Sequence, residues 1–96
     1  VFGLGFGKAP RSPQKLALDR HTDRRDVTVR WEPVKGAQGY NVLWGIAPDK
    51  LYSSWMVYGG NELEMKSLTI DQDYYFAVEA FNENGVSLPS ETKYVE

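Results

Sequence analysis

Leu68-Thr-Ile-Asp-Gln-Asp-Tyr74-Tyr-Phe76-Ala-Val78-Glu-Ala80-Phe-Asn82 is the stretch that decides the fold. From Tyr74 an apolar residue recurs at every second position: Tyr74, Phe76, Val78 and Ala80. Successive side chains of a strand point to opposite faces, so this period marks a strand with one face on a core. A tyrosine that opens such a strand, just after a tight crossover, is the trace of a tyrosine corner. Its hydroxyl is expected on backbone upstream in the corner. The stretch therefore predicts an all-β, Greek-key, immunoglobulin-like sandwich.

Working outward, Asp26-Val27-Thr28-Val29-Arg30-Trp31-Glu32-Pro33 alternates cleanly, with Val27, Val29 and Trp31 inward. Pro33 ends that run, because proline has no ladder donor. Val34 to Gly39 is a turn, and Tyr40-Asn-Val42-Leu-Trp44 is the next strand, with Tyr40, Val42 and Trp44 inward. Further strands are expected from Tyr52 to Tyr58 and over Leu63, Met65 and Leu68. Leu16 and Leu18 mark a first strand, and Thr92 to Val95 a last one. Asn84-Gly85 between two β runs is a hairpin signal. Seven short strands at roughly 8–12-residue spacing, with no convincing helix, indicate a sandwich. The expected core is Val27, Val29, Trp31, Tyr40, Val42, Leu63, Met65, Leu68, Phe76, Val78 and Ala80.

The 96 residues suffice for one domain and not two. Three tryptophans, six tyrosines and four phenylalanines are many for this length and let a small sandwich bury a core without staples. There is no cysteine, which excludes a disulfide framework and a thiolate metal site. A net charge of −2 disfavours nucleic acid as a partner, because phosphate affinity needs a clustered positive field. The one basic cluster, Arg20, His21, Arg24 and Arg25, is interrupted by Asp19, Asp23 and Asp26 and reads as a solvated loop. No apolar run approaches a membrane span, so no membrane partner is expected. Val1 to Gly7 is glycine-rich and Pro10 and Pro13 follow, so residues 1–12 read as a linker or the tail of a preceding domain, with the sandwich over 13–96. The chain starts with Val rather than Met and is expected to be a fragment of a longer protein.

These residues resemble the fibronectin type III domains. Trp31 stands late in the second strand, Tyr40-Asn-Val42 opens the third, and Leu68 through Asn82 crosses the corner. Ile70-Asp71-Gln72 departs from the family's Pro-Gly-Thr there, which bears on the corner loop and not on the fold. Trp31-Glu-Pro-Val-Lys-Gly-Ala-Gln-Gly-Tyr40-Asn-Val42 is similar to bacterial modules appended to secreted carbohydrate-active enzymes. The leader looks like the exit from a preceding β-domain of a multidomain glycoside hydrolase. The resemblance implies a non-catalytic accessory or spacer module, extracellular, periplasmic or on a bacterial cell surface. It takes no cofactor, and as an isolated module it is expected to be a monomer.

The residues themselves offer little catalysis. His21 is the only histidine and lies in the charged loop. Glu62 and Glu64 alternate outward on one strand, and Asp71 and Asp73 sit in the corner loop, but glycosidase carboxylates need a cleft. Asp71, Asp73 and Asp49 are too few for a calcium cage. Gly3 to Lys8 superficially matches a phosphate loop, yet Pro10 and Pro13 forbid the helix start that such a loop needs. The adhesive tripeptide Arg-Gly-Asp is absent. No catalytic, cofactor or metal residue is assigned.

The informative surface is the opposite face of the two central strands. If Tyr40, Val42 and Trp44 face in, Leu43 faces out. If Tyr74, Phe76, Val78 and Ala80 face in, Tyr75, Ala77 and Phe81 face out. The fold makes these strands neighbours, so Leu43, Tyr75, Ala77 and Phe81 are expected on one outer surface, extended by Trp55 or Tyr58. Such a patch suits docking of a neighbouring domain of the same chain, stacking of a polysaccharide, or binding of another protein. It equally suits aromatics covered by loops or singly exposed without consequence.

Overall fold

The structure is a computed structural model that describes residues 9–66 and 68–95. Every described element is a strand: β1 Ala17–Arg20, β2 Val27–Arg30, β3 Gly39–Gly45, β4 Ser53–Tyr58, β5 Glu62–Met65, β6 Tyr74–Asn82, β7 Gly85–Val86 and β8 Lys93–Val95. They form two antiparallel sheets, β1-β2-β5 and β4-β3-β6-β7, with β8 also paired to β6. The leader segment Val1 to Lys8 lies outside the described residues, and so does the phosphate-loop match within it.

The sandwich closes on the alternating faces. Val27, Val29, Trp31, Tyr40, Val42, Met65, Leu68, Phe76, Val78 and Ala80 are buried, together with Leu16, Tyr74 and Val95. Leu63 and Trp44 pack against this core but stay partly accessible. Trp31 and Tyr40 meet edge to face, ring centroids 5.1 Å apart.

Eight strands are present where seven were expected, because the last one is split. β7 follows the hairpin through Glu83 and Asn84, and Gly85 supplies a φ of 147° that few side chains tolerate. Beyond Val86 the chain leaves the regular ladder and rejoins it at Lys93. In between, two serines hold it to β6. The Ser87 N–H donates to the Ala80 carbonyl and the Ser90 N–H to the Val78 carbonyl, both at 2.7 Å. In return the Ala80 N–H donates to Ser87 Oγ and the Val78 N–H to Ser90 Oγ, at 2.8 and 2.9 Å. The hydroxyls replace the missing strand carbonyls, so no buried donor of β6 is orphaned there.

The corner forms as expected: the Thr69 N–H donates to the Tyr74 hydroxyl at 2.9 Å. A second tyrosine acts alike, the Val34 N–H donating to the Tyr40 hydroxyl at 2.8 Å. The expected solvated loop at Arg20 needs correction. The Arg20 guanidinium donates to the carbonyls of Arg24, Gln72 and Thr69, at 2.6, 3.1 and 2.9 Å. It is a fastener between the β1–β2 loop and the corner. His21 bonds Thr28 Oγ1 at 2.7 Å and is likewise structural.

Candidate functional site

Register fixes the outer face of the five-stranded sheet. Leu43 lies opposite Ala77, Asn41 opposite Glu79, Gly39 opposite Phe81 and Gly45 opposite Tyr75. On the other side of β3, Ser54 lies opposite Leu43, Met56 opposite Asn41 and Tyr58 opposite Gly39. Directly opposed residues share a face. The outer surface therefore carries Leu43, Met56, Tyr58, Tyr75 and Phe81, with Val86 opposite Phe81 and Tyr94 opposite Tyr75.

Two expected members need correction. Trp55 pairs with Val42 and so points to the inner side of β4, away from Leu43. It stays 56% exposed there because β4 is the sheet's edge. Ala77 does lie on the outer face, but at 0% exposure it is a floor beneath longer neighbours and offers no contact surface. Leu43, Tyr75 and Phe81 are half-buried. The exposed tops belong to Tyr58, expected only as an extension, at 66%, and to three residues outside the expected patch: Met56 at 52%, Val86 at 54% and Tyr94 at 50%.

Aromatic pairs hold these side chains in place. Tyr58 meets Phe81 edge to face, centroids 5.7 Å apart at 84°. Tyr75 and Tyr94 pair at 5.3 Å with a 52° tilt. Phe81 also roofs Gly39: a Cβ there would come within 2.6 Å of the ring's Cζ. Glycine at this position lets the ring lie flat across β3.

Polar groups separate the Tyr75–Tyr94 end of the face from the Tyr58–Phe81 end. Asn41 Nδ2 donates to Glu79 Oε1 at 3.0 Å in the centre of the face. At the hairpin end Gln38 Nε2 donates to Glu83 Oε2 at 2.6 Å. The Tyr94 hydroxyl donates to Asp73 Oδ2 at 2.8 Å. A shallow depression of about 480 Å³ lies at the hairpin end, lined by Met56, Phe81 and Val86 among others.

Glu62 and Glu64 are engaged as surface groups. Arg30 Nε donates to Glu62, and Lys66 pairs with Glu64 at 3.3 Å. Among the described residues no three His, Asp or Glu side chains gather as a metal site. A concavity of about 870 Å³ lies between the segment Ala9–Ser12 and the β2–β3 turn at Val34–Gly36, and among the described residues Glu32 is the one carboxylate in its lining. That carboxylate pairs with Lys15 at 3.3 Å.

Comparison with known proteins agrees with this architecture. The family model "Fibronectin type III domain" matches residues 11–96. Rat neogenin is 28% identical over 93% of this chain, and the chain spans only 7% of that relative's length. A Fn3-like protein from Clostridium thermocellum superposes with a TM-score of 0.83 at 19% identity, covering 93% of this chain and 94% of the other. The chicken CNTN1 FN1–FN3 domains superpose with a TM-score of 0.79 at 25% identity, covering 91% of this chain and 32% of that one.

Proposed function

The chain belongs to the fibronectin type III family, and from that premise we propose that it is a non-catalytic module whose outer sheet face docks a neighbouring domain of the same polypeptide. One observation carries this reading: Met56, Tyr58, Val86 and Tyr94 expose half or more of their surface on one face, anchored by half-buried Leu43, Tyr75 and Phe81. Apolar surface gathered on one face in this way costs solvation until something covers it. Tyrosine suits the task, with a large apolar body and a polar tip. The neighbouring domain is favoured as the cover because the chain matches only a 7% share of neogenin and 32% of the CNTN1 fragment, so similar modules occur within much longer chains.

An accessory module of a secreted bacterial glycoside hydrolase remains one setting for this role. Its support is the resemblance of the Trp31–Val42 segment, while the Clostridium likeness, at 19% identity, is one of fold. A protein-interaction module at a cell surface is the other setting, supported by the same exposed face, and the 28% identity to rat neogenin is likeness to a 7% share of a much longer chain. Both place the module outside the cell and use the same face.

The test is a double substitution of the exposed tops, Tyr58→Ser with Tyr94→Ser, in a polypeptide carrying this chain beside its neighbour. Small-angle scattering is expected to show a larger radius of gyration as docking is lost. An unchanged radius, with the fold intact by circular dichroism, refutes the reading.

A further inference from the structure

The four sheet edges differ in how well they resist another strand. β1 carries Asp19 and Arg20, and β5 carries Glu62 and Glu64 with Lys66 directly after it. β7 and β8 are two and three residues long, with Pro89 between them. Charge, proline and shortness are the usual protections of an edge. β4 has none. It runs Ser53-Ser-Trp-Met-Val-Tyr58, six residues without charge or proline, and all but Val57 are exposed.

The free backbone groups of β4 follow from the ladder. The Val78 and Ala80 N–H groups reach Ser90 and Ser87, on the β7–β8 side. Backbone groups alternate sides along an antiparallel strand, so Ala77, Glu79 and Phe81 turn toward β3. Their partners Leu43, Asn41 and Gly39 turn back toward β6, which leaves Tyr40, Val42 and Trp44 to bond β4. Those three pair with Val57, Trp55 and Ser53. Ser54, Met56 and Tyr58 therefore present their N–H and C=O groups to the free edge, where no strand among the described residues meets them.

We propose that this edge pairs antiparallel with β4 of a second copy of the chain, about a two-fold axis through Met56. The free residues make that register self-complementary. Met56 opposes Met56 of the second copy, Ser54 opposes Tyr58, and each free residue both donates and accepts. Facing residues then share a side: Met56 and Tyr58 join the outer faces of the copies, while Trp55 meets Val57 on the inner side. The pairing gives a neighbour to Trp55, which is 56% exposed and unexplained by the outer face. No like charges meet, since β4 carries none. A two-fold, self-complementary contact closes at a dimer and does not propagate. It contrasts with the monomer expected of the isolated module.

Sedimentation equilibrium of the 96-residue chain from about 10 μM to about 1 mM, the range of a small interface, is expected to show a monomer–dimer equilibrium. Amide exchange is expected to show protection of Ser54, Met56 and Tyr58 rising with concentration, while Trp55 and Val57 are protected throughout. Met56→Pro removes a donor that points outward, so it is expected to abolish the dimer without breaking the β3 ladder. Met56→Lys and Met56→Glu each place like charges on the axis and are expected to weaken association at least about tenfold, and an equimolar mixture of the two restores it. A chain monomeric throughout the range, or a dimer that survives both Met56→Pro and Met56→Lys, overturns the proposal. Protection of the three amides only by an added extended peptide of foreign sequence also overturns it, since the occupant is then not a second copy.

Discussion

The Arg20 guanidinium carbon lies 5.3 Å from the centroid of the Tyr74 ring, and the two residues secure the same corner. Tyr74 accepts from the Thr69 N–H, while Arg20 donates to the Thr69 and Gln72 carbonyls around it. A third bond, to the Arg24 carbonyl, closes the β1–β2 loop on the same guanidinium, so one side chain joins that loop to the corner. Arg20→Ala is expected to lower unfolding free energy by about 2 kcal/mol, as charge-assisted bonds are lost. Arg20→Lys is expected to recover less than half, because an ammonium cannot reach carbonyls in a planar fork. Urea denaturation measures both, and full recovery by lysine contradicts the role given to the fork.

Tyr74→Phe keeps the ring under Arg20 but leaves the Thr69 N–H without its acceptor. The expected cost is about 1–2 kcal/mol. Combined with Arg20→Ala, the losses are expected to be non-additive, since both act on one loop. Additive losses in a double-mutant cycle argue for two independent sites.

Ser87 and Ser90 offer the sharpest test of the split last strand. Ser87→Ala and Ser90→Ala each strand a buried N–H, of Ala80 and Val78 respectively. Each is expected to cost about 1–3 kcal/mol. Amide exchange should accelerate specifically at the stranded position. Unchanged protection at Val78 and Ala80 means the hydroxyls are dispensable.

The β1–β2 loop also carries a pH signature. The Asp23 carboxyl is held below the usual carboxylate range, chiefly by the bond from the Arg25 guanidinium and next by the Arg25 backbone N–H. A lowered folded pKa adds stability that is present above the unfolded pKa and is lost as pH falls through the folded one. The pair is solvent-exposed, so its effect on stability is small, and the titration itself is the readout. Carboxyl NMR is expected to place the Asp23 midpoint below that of an ordinary aspartate, and Arg25→Ala to return it upward. A midpoint indifferent to Arg25 refutes the assignment.

The fold was legible where polarity alternates. Val27–Val29–Trp31 and Phe76–Val78–Ala80 have apolar residues on one phase and contrast on the other at Thr28, Arg30 and Glu79, and all six apolar residues are buried. Phase was lost where contrast is absent. Ser53-Ser-Trp-Met-Val-Tyr58 reads equally well either way, so the sequence leaves Trp55 and Tyr58 as alternatives for the outer face, and only the register with β3 selects Tyr58 together with Met56. Tyr94 escaped because three residues of β8 show no period, and its place follows only from pairing with Tyr75. Arg20 looked solvated because its acceptors Gln72 and Thr69 are about fifty residues away in sequence and are backbone carbonyls, which no side-chain pattern reveals. The serines of the split strand also bond backbone groups, the N–H of Ala80 and of Val78, which side-chain patterning does not mark.

The central claim, that the outer face of the five-stranded sheet is a contact surface, is tested most directly by hydroxyl-radical footprinting of the chain alone and beside its neighbouring domain. Met56, Tyr58 and Tyr94 are reactive side chains on that face, while Tyr52, at 86% exposure, precedes β4 and serves as the reference. The account predicts that labelling of Met56, Tyr58 and Tyr94 falls severalfold beside the neighbour, with Tyr52 unchanged. Equal labelling of all four residues in both settings contradicts it.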